Sequence, residues 1–136
     1  MQNPPPVQTA KSSTGLDENV AALLAYVVTW VSGLVFFLIE KESRFVRFHA
    51  MQAILLGGTT IVLMIVLSIL WSVSVLIIAQ LSEALALLVN FIFILLFVVA
   101  WLAYMIGWIM CMVKAYGKQY FKLPVLGNFA EKFSTK

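Results

Sequence analysis

Charged residues are scarce in this sequence of 136 amino acids, where Asp, Glu, Lys and Arg together make up 11%. Three long stretches contain none of them: residues 19–39, 48–82 and 84–113. A typical soluble domain carries about 25% charged residues. With 62% hydrophobic residues and a mean hydropathy of +1.00, the chain is predicted to be an integral protein of the cell membrane, and a soluble globule is excluded.

Reactive side chains are equally scarce. The chain has one cysteine, Cys111, and one histidine, His49, so it can form no intrachain disulfide and none of the usual zinc ligand sets. The long apolar stretches contain no Asp, Glu, Lys or Arg, the groups that acid–base catalysis and proton relays normally use. We therefore expect no enzymatic activity, no catalytic residues, no cofactor and no metal. Nucleic acid is not an expected partner, because the basic residues flank apolar runs and suit lipid head groups.

The first 19 residues are polar and include three consecutive prolines at positions 4–6. Such a segment cannot bury a core, and it is predicted to be disordered. The apolar stretch that follows ends in Glu40-Lys41-Glu42 without a small-residue cleavage site. It is therefore interpreted as a retained membrane span and not as a signal peptide.

Twenty residues of α-helix cover about 30 Å, the thickness of the hydrocarbon core of a bilayer. The sequence therefore predicts an all-α membrane domain over residues 20–113, folded as a three-helix bundle. Its crossings are placed at residues 20–39, 48–71 and 88–110. Residues 72–82 are either a helical extension or a short re-entrant segment. A four-crossing alternative would fold residues 50–113 into three helices. The turns between them would contain almost no polar residues, and lipid offers no hydrogen bonds to the backbone of a turn.

Lys and Arg residues are divided unevenly between the two sides that three crossings define. The N-terminal segment carries Lys11, and the loop after the second crossing carries none. The first loop and the basic tail, residues 114–136, would share the other side and carry seven such residues near the membrane: Lys41, Arg44, Arg47, Lys114, Lys118, Lys122 and Lys132. Because basic residues stay in the cytoplasm, we expect a multi-pass protein with its C-terminus in the cytoplasm and its N-terminus outside.

The segment over residues 40–53 holds the most varied set of polar side chains. Arg44 and Arg47 are three residues apart at head-group depth, and His49 and Gln52 share a helix face slightly deeper. One interpretation is a contact site for anionic lipid head groups or a partner; the other is anchoring by the arginines, with His49 and Gln52 bonded to a neighbouring helix or to water. The candidate contact residues are Arg44, Arg47, His49, Gln52, Lys114, Lys118 and Lys122.

Glycine occurs at similar depth in all three predicted crossings, at Gly33, at Gly57 with Gly58, and at Gly107. Small residues let helix backbones approach closely, and such contacts drive helix association in lipid. The tightest helix packing is therefore predicted at these four glycines. A kink at the Gly57-Gly58 pair is compatible with that prediction.

The basic tail contains a second periodic pattern. Leu123-Pro124 is expected to end any helix that continues from the third crossing. Beyond this break the apolar residues recur at helical spacing: Val125, Leu126, Phe129 and Phe133. The pattern predicts a short amphipathic helix that lies on the membrane surface.

Three segments carry a family resemblance: GLDENVA at residues 15–21, EKESRFVRFHAMQA at residues 40–53 and YFKLPVLGNFAE at residues 120–131. With these segments the chain resembles a family of small prokaryotic membrane proteins of unknown function that are described as having three spans. That family is distantly similar to a chloroplast inner-envelope import component, which has four spans, and to magnetosome membrane proteins that affect crystal growth. The resemblance implies a membrane protein to which no catalytic residue can be transferred.

Two functions follow as expectations. The first is a non-catalytic scaffold or assembly factor in a membrane complex, because three helices leave most of their apolar surface to lipid, to another copy or to a membrane protein partner. The alternative is an oligomeric component of transport or protein translocation.

Overall fold

The computed structural model describes residues 11–134, and the helices in this part of the chain confirm the predicted all-α class. These helices are α1 Glu18–Val27, α2 Trp30–Ile39, α3 Arg44–Ala79, α4 Glu83–Tyr116 and α5 Leu126–Ser134. The described residues form two compact units. The first unit comprises residues 11–57 and 108–134, and the second comprises residues 58–107.

The single helix predicted over residues 20–39 is wrong, because the chain leaves helical geometry at Val28 and Thr29. Thr29 has a φ of +45°, a value that a β-branched residue rarely adopts. The Ser32 hydroxyl accepts a hydrogen bond from the Val28 N–H (3.0 Å) and donates one to the Ala25 carbonyl oxygen (2.8 Å). This side chain replaces helix hydrogen bonds that the break removes, which makes two short helices possible in an uninterrupted apolar stretch.

The residues that flank α1 and α2 lie next to each other. The Ser13 hydroxyl donates a hydrogen bond to a carboxylate oxygen of Glu40 (2.7 Å), and the Ser43 hydroxyl donates one to Glu18. Each of the two helices has ten residues, about 15 Å, which is half the thickness of the hydrocarbon core. Contact between the two flanks shows that α1 and α2 form a helical hairpin in place of the single helix predicted over residues 20–39.

Residues 11–17 adopt a defined turn in the first unit. Lys11 and Asp17 form an isolated antiparallel bridge, and the Ser12 N–H donates a hydrogen bond to the Leu16 carbonyl oxygen (2.8 Å). The disorder predicted for residues 1–19 therefore does not apply to residues 11–19. The remainder of that prediction, on residues 1–10, lies outside the described residues.

Helices α3 and α4 are long and apolar enough to cross a membrane, with 36 and 34 residues. They contain the predicted crossings at residues 48–71 and 88–110. Helix α3 runs on without a break to Ala79, so most of the segment over residues 72–82 is a helical extension and not a re-entrant piece. Helix α4 ends at Tyr116, beyond the predicted third crossing.

Within the second unit, a hydrogen bond joins α3 to α4. The Trp71 indole N–H donates to the Asn90 side-chain oxygen at 3.0 Å. Many large apolar side chains of this unit are half exposed or more, among them Val62, Leu76 and Val99. Such a surface suits lipid, where interhelical hydrogen bonds add to helix association.

We expect Trp71→Phe to lower the free energy of unfolding by about 1 kcal/mol, the usual value for a hydrogen bond between membrane helices. The substitution keeps an aromatic ring and removes the N–H. Trp101→Phe, the same change at another exposed tryptophan of the unit, is the control. Denaturation of the detergent-solubilised protein measures both, and equal stability of the two variants would contradict the prediction.

The core of the first unit is built around small residues that bring α2 close to α3. A Cβ added at Gly33 would lie 2.8 Å from the Ala50 carbonyl oxygen, and one added at Gly57 would lie 2.9 Å from the Cβ of Trp30. A Cβ added at Gly58 would meet no atom within 4 Å. The fourth glycine of the predicted packing set, Gly107, lies in α4 at the end of the second unit.

Helix α5 occupies the place where an amphipathic helix is predicted. Gly127, Ala130 and Ser134 are buried on one side, and Phe129 and Phe133 are exposed on the other. The preceding segment bends sharply and gives Val125 a φ of +65°.

Candidate functional site

A group of buried polar side chains lies near the start of α3. His49 and Gln52 are one helical turn apart, and both are fully buried in the first unit. Their side chains reach Tyr26 of α1, Cys111 of α4 and the backbone of residues 119–123. These residues are called the His49–Gln52 cluster below.

The hydrogen bonds of His49 define the position of its ring proton. Its Nε2 lies 3.0 Å from the Gln119 carbonyl oxygen, which can only accept, so Nε2 carries the proton. In the neutral ring Nδ1 then accepts from the Tyr26 hydroxyl at 3.1 Å. The rings of Phe45 and Phe48 pack edge-on against the imidazole, with centroids 4.6 and 5.1 Å away.

Gln52 joins more elements than any other residue of the cluster. Its Nε2 lies 3.2 Å from the Tyr26 hydroxyl, 3.3 Å from the Cys111 sulfur and 3.1 Å from the Phe121 carbonyl oxygen, so three acceptors share two hydrogens. Its Oε1 accepts from the Leu123 N–H at 3.4 Å. One amide therefore ties α3 to α1, to α4 and to the segment before α5.

The sequence pairs His49 with Gln52 but says nothing of Tyr26 and Cys111. A buried tyrosine normally finds a partner for its hydroxyl, which is the one signal that singles out Tyr26 in its apolar stretch. The partners at positions 119, 121 and 123 are backbone atoms, so the side chains at these positions do not reveal them. The polar atoms of His49 and Gln52 thus face the interior of the chain and bond to its own C-terminal segment.

A second polar group surrounds Glu40, which is fully buried in the loop after α2. Its carboxylate accepts hydrogen bonds from the Ser13 N–H and hydroxyl, from the Glu42 N–H and from the Ser43 N–H, over 2.7–3.0 Å. Burial raises the pKa of the Glu40 carboxyl. The hydrogen bonds from Ser43, Ser13 and Glu42 together lower this pKa by more than burial raises it, so the pKa lies below its usual value.

We expect the first unit to lose stability in acid through Glu40. Because the folded pKa lies below the ordinary carboxyl value of about 4.3, the stabilisation is present above that value and is lost as the pH falls through the folded pKa. Glu40→Gln should lower the free energy of unfolding at neutral pH by about 1.5–3 kcal/mol, the usual effect of hydrogen bonds to a charged group. It should also flatten the acid dependence of thermal unfolding.

Glu42→Gln, at an exposed carboxylate two residues away, is the control and should keep the acid dependence. Parallel curves for wild type and Glu40→Gln between neutral and acidic pH would refute the role given to this carboxylate.

The predicted basic contact residues differ in their contacts and exposure. The Arg47 guanidinium donates to the Glu40 carbonyl oxygen (3.0 Å) and lies 4.7 Å from the centroid of the Phe37 ring. Lys122 forms an ion pair with Glu131 at 2.7 Å. Arg44 and Lys118 are exposed, and Lys114 is half-buried near the end of α4.

Comparison with known proteins agrees with the membrane character of the chain. A model of the magnetosome magnetite crystal formation protein family matches residues 16–130. A UPF0132 membrane protein of Methanocaldococcus jannaschii is 41% identical over 127 residues, which cover 91% of this chain and 94% of that protein. A UPF0132 membrane protein of Archaeoglobus fulgidus is 37% identical over 117 residues, 86% of this chain and 95% of that protein.

No solved structure is significantly similar to this chain. The matches confirm the predicted membrane protein family, and the names of the relatives confirm the predicted membrane location. The similarity to a chloroplast import component stays a prediction.

Proposed function

The chain belongs to the magnetosome magnetite crystal formation protein family, and on this premise we propose that it is a non-catalytic scaffold or assembly factor of a membrane complex. The observation that carries the proposal is the use of polar atoms in the His49–Gln52 cluster. They bond to the backbone of residues 119–123 and hold the segment before α5 against the helices. Because this segment is held in one position, the first unit presents a constant surface, which suits a protein that positions a membrane protein partner or further copies of itself.

Both ends of the described chain are proposed to lie in the cytoplasm, which revises the outside location predicted for the N-terminus. Two contacts support a common side: Ser13 with Glu40, and the Asn19 amide with the Tyr116 carbonyl oxygen at 3.2 Å. Every Lys and Arg of the chain lies outside residues 48–113, and such residues stay in the cytoplasm.

In this arrangement α1 and α2 form a re-entrant hairpin, and α3 and α4 are the two crossings. The large exposed side chains of the hairpin, such as Val28 and Leu38, suit contact with lipid. Helix α5 lies on the membrane surface with Phe129 and Phe133 toward the lipid. Arg44 and Lys118 contact anionic head groups beside it.

The orientation is tested by labelling single-cysteine variants in intact cells with a membrane-impermeant maleimide. In a Cys111→Ser background, Leu81→Cys in the turn after α3 should react, and Leu16→Cys before α1 should react only after the cells are broken. Both side chains are exposed, at 77% and 38%. Reaction of Leu16→Cys in intact cells would overturn the common cytoplasmic side.

The scaffold role is tested by cross-linking and co-purification from native membranes. We expect a partner at constant stoichiometry with the wild type and with Gln80→Met, and its loss with Gln52→Met, which removes the bonds to Phe121 and Leu123. The membrane content of each variant is measured in parallel, so that loss of the protein is not mistaken for loss of the partner. Passage of ions or small solutes through liposomes that hold only the purified protein would instead favour the transport alternative.

A further inference from the structure

The second unit contains an open groove between the end of α3 and the start of α4. Its volume is about 340 Å³, and it is lined by Val75, Ala79, Glu83, Ala86, Leu87 and Asn90. The α4 members recur at spacings of three and four residues, which places them on one helix face. The two alanines leave room beside the helices, so the groove has aliphatic walls with a carboxylate at one end and an amide at the other.

The charge of this groove limits what can fill it. Glu83 is the single charged residue among residues 58–107, and it lies in the first turn of α4. At the other end, the Asn90 oxygen accepts the Trp71 N–H, so the amide retains N–H donors for an ester carbonyl oxygen. About 10 Å of helix separates Glu83 from Asn90. The groove therefore suits a molecule with an ammonium group at its head and an apolar chain.

We propose that this groove binds a bilayer aminolipid, with the primary ammonium of its head group on Glu83 and its acyl region against Val75, Ala79 and Ala86. A primary ammonium donates charge-assisted hydrogen bonds to a carboxylate, which a quaternary ammonium cannot do. A second copy of the chain is a poorer occupant. A two-fold contact through this groove would bring the two Glu83 carboxylates together in a low-dielectric setting.

The test uses native mass spectrometry of the full chain in detergent, with defined lipids added one at a time. We expect phosphatidylethanolamine to be retained about tenfold more strongly than phosphatidylcholine or phosphatidylglycerol, the factor of one hydrogen bond to a charged group. Glu83→Gln should remove this preference while leaving an exposed polar side chain in place.

Ala86→Leu should also lower phosphatidylethanolamine retention, because it fills the groove, whereas Ala84→Leu, at an exposed position of the same helical turn, should not. Equal retention of the three lipids by the wild type would overturn the proposal. So would an unchanged preference in Glu83→Gln, or a dimer that Ala86→Leu abolishes while lipid retention stays constant. Because Glu83 is exposed, its variant keeps the test valid even where Ala86→Leu folds poorly.

Discussion

Gln52→Met is expected to lower the free energy of unfolding by about 2–4 kcal/mol and to release residues 121–123 from the helices. Methionine has nearly the volume of glutamine, so the change removes the amide without opening a large cavity. The Phe121 carbonyl and the Leu123 N–H, both in half-buried residues, then lose their partner, and each unsatisfied group costs about 1–3 kcal/mol.

Two measurements detect the release of this segment from the helices. Denaturation in detergent reports the stability, and trypsin reports the release of the segment, because Lys122 lies within it and Lys118 lies shortly before it, and both should be cleaved faster in the variant. Gln80→Met is the matched control, since Gln80 is exposed just after the end of α3. If the two variants are equally stable and are cleaved at the same rate, Gln52 does not hold the segment.

A second large difference is expected between two adjacent glycines. Gly57→Ala should destabilise the protein by about 1–3 kcal/mol through overpacking. A Cβ at position 57 would lie 2.9 Å from the Trp30 Cβ and 3.1 Å from its backbone nitrogen, atoms that cannot move without shifting α2. Gly58→Ala should be neutral or stabilising by up to about 1 kcal/mol, because that position is open and alanine favours helix.

The neighbouring position is itself the control, because the two substitutions share one helix and one chemical change. Thermal unfolding of both variants in the same detergent gives the comparison. Trp30→Ala should not rescue Gly57→Ala, since the Trp30 Cβ and backbone nitrogen remain. Similar stability of the two glycine variants would show that α2 does not approach α3 as closely as described.

Hydropathy predicts the long helices and membrane location well and misses the hairpin at α1 and α2. The hydropathy that predicts a membrane helix is an average over about 20 side chains. The long apolar stretches of α3 and α4 give high averages and are therefore easy to recognise. The break at Thr29 contains neither glycine nor proline, and it depends on hydrogen bonds of Ser32. Serine also occurs within intact helices, so its presence does not predict a break. The hairpin also requires contact between Ser13 and Glu40, which lie 27 residues apart.

The polar pairing of the candidate site could be predicted, but its partners could not. The spacing of His49 and Gln52 puts them on one face of a helix. Their acceptors and donors are mostly backbone atoms about 70 residues further along, and any amino acid other than proline can supply both kinds of atom. The basic residues illustrate the same limit, because charge alone does not reveal that Lys122 pairs with Glu131.

The late position of residues 119–123 sets an order of events during biosynthesis. A nascent chain that ends before them contains every apolar helix needed for insertion, yet His49 and Gln52 still lack their backbone partners. Both keep their bonds to Tyr26 or Cys111, but the loss of further hydrogen bonds from buried polar groups is unfavourable, so we expect the hairpin and α3 to stay loosely assembled until translation has passed Leu123. We therefore expect a product that ends before residue 119 to keep its apolar helices but to be digested faster by added protease than the full chain.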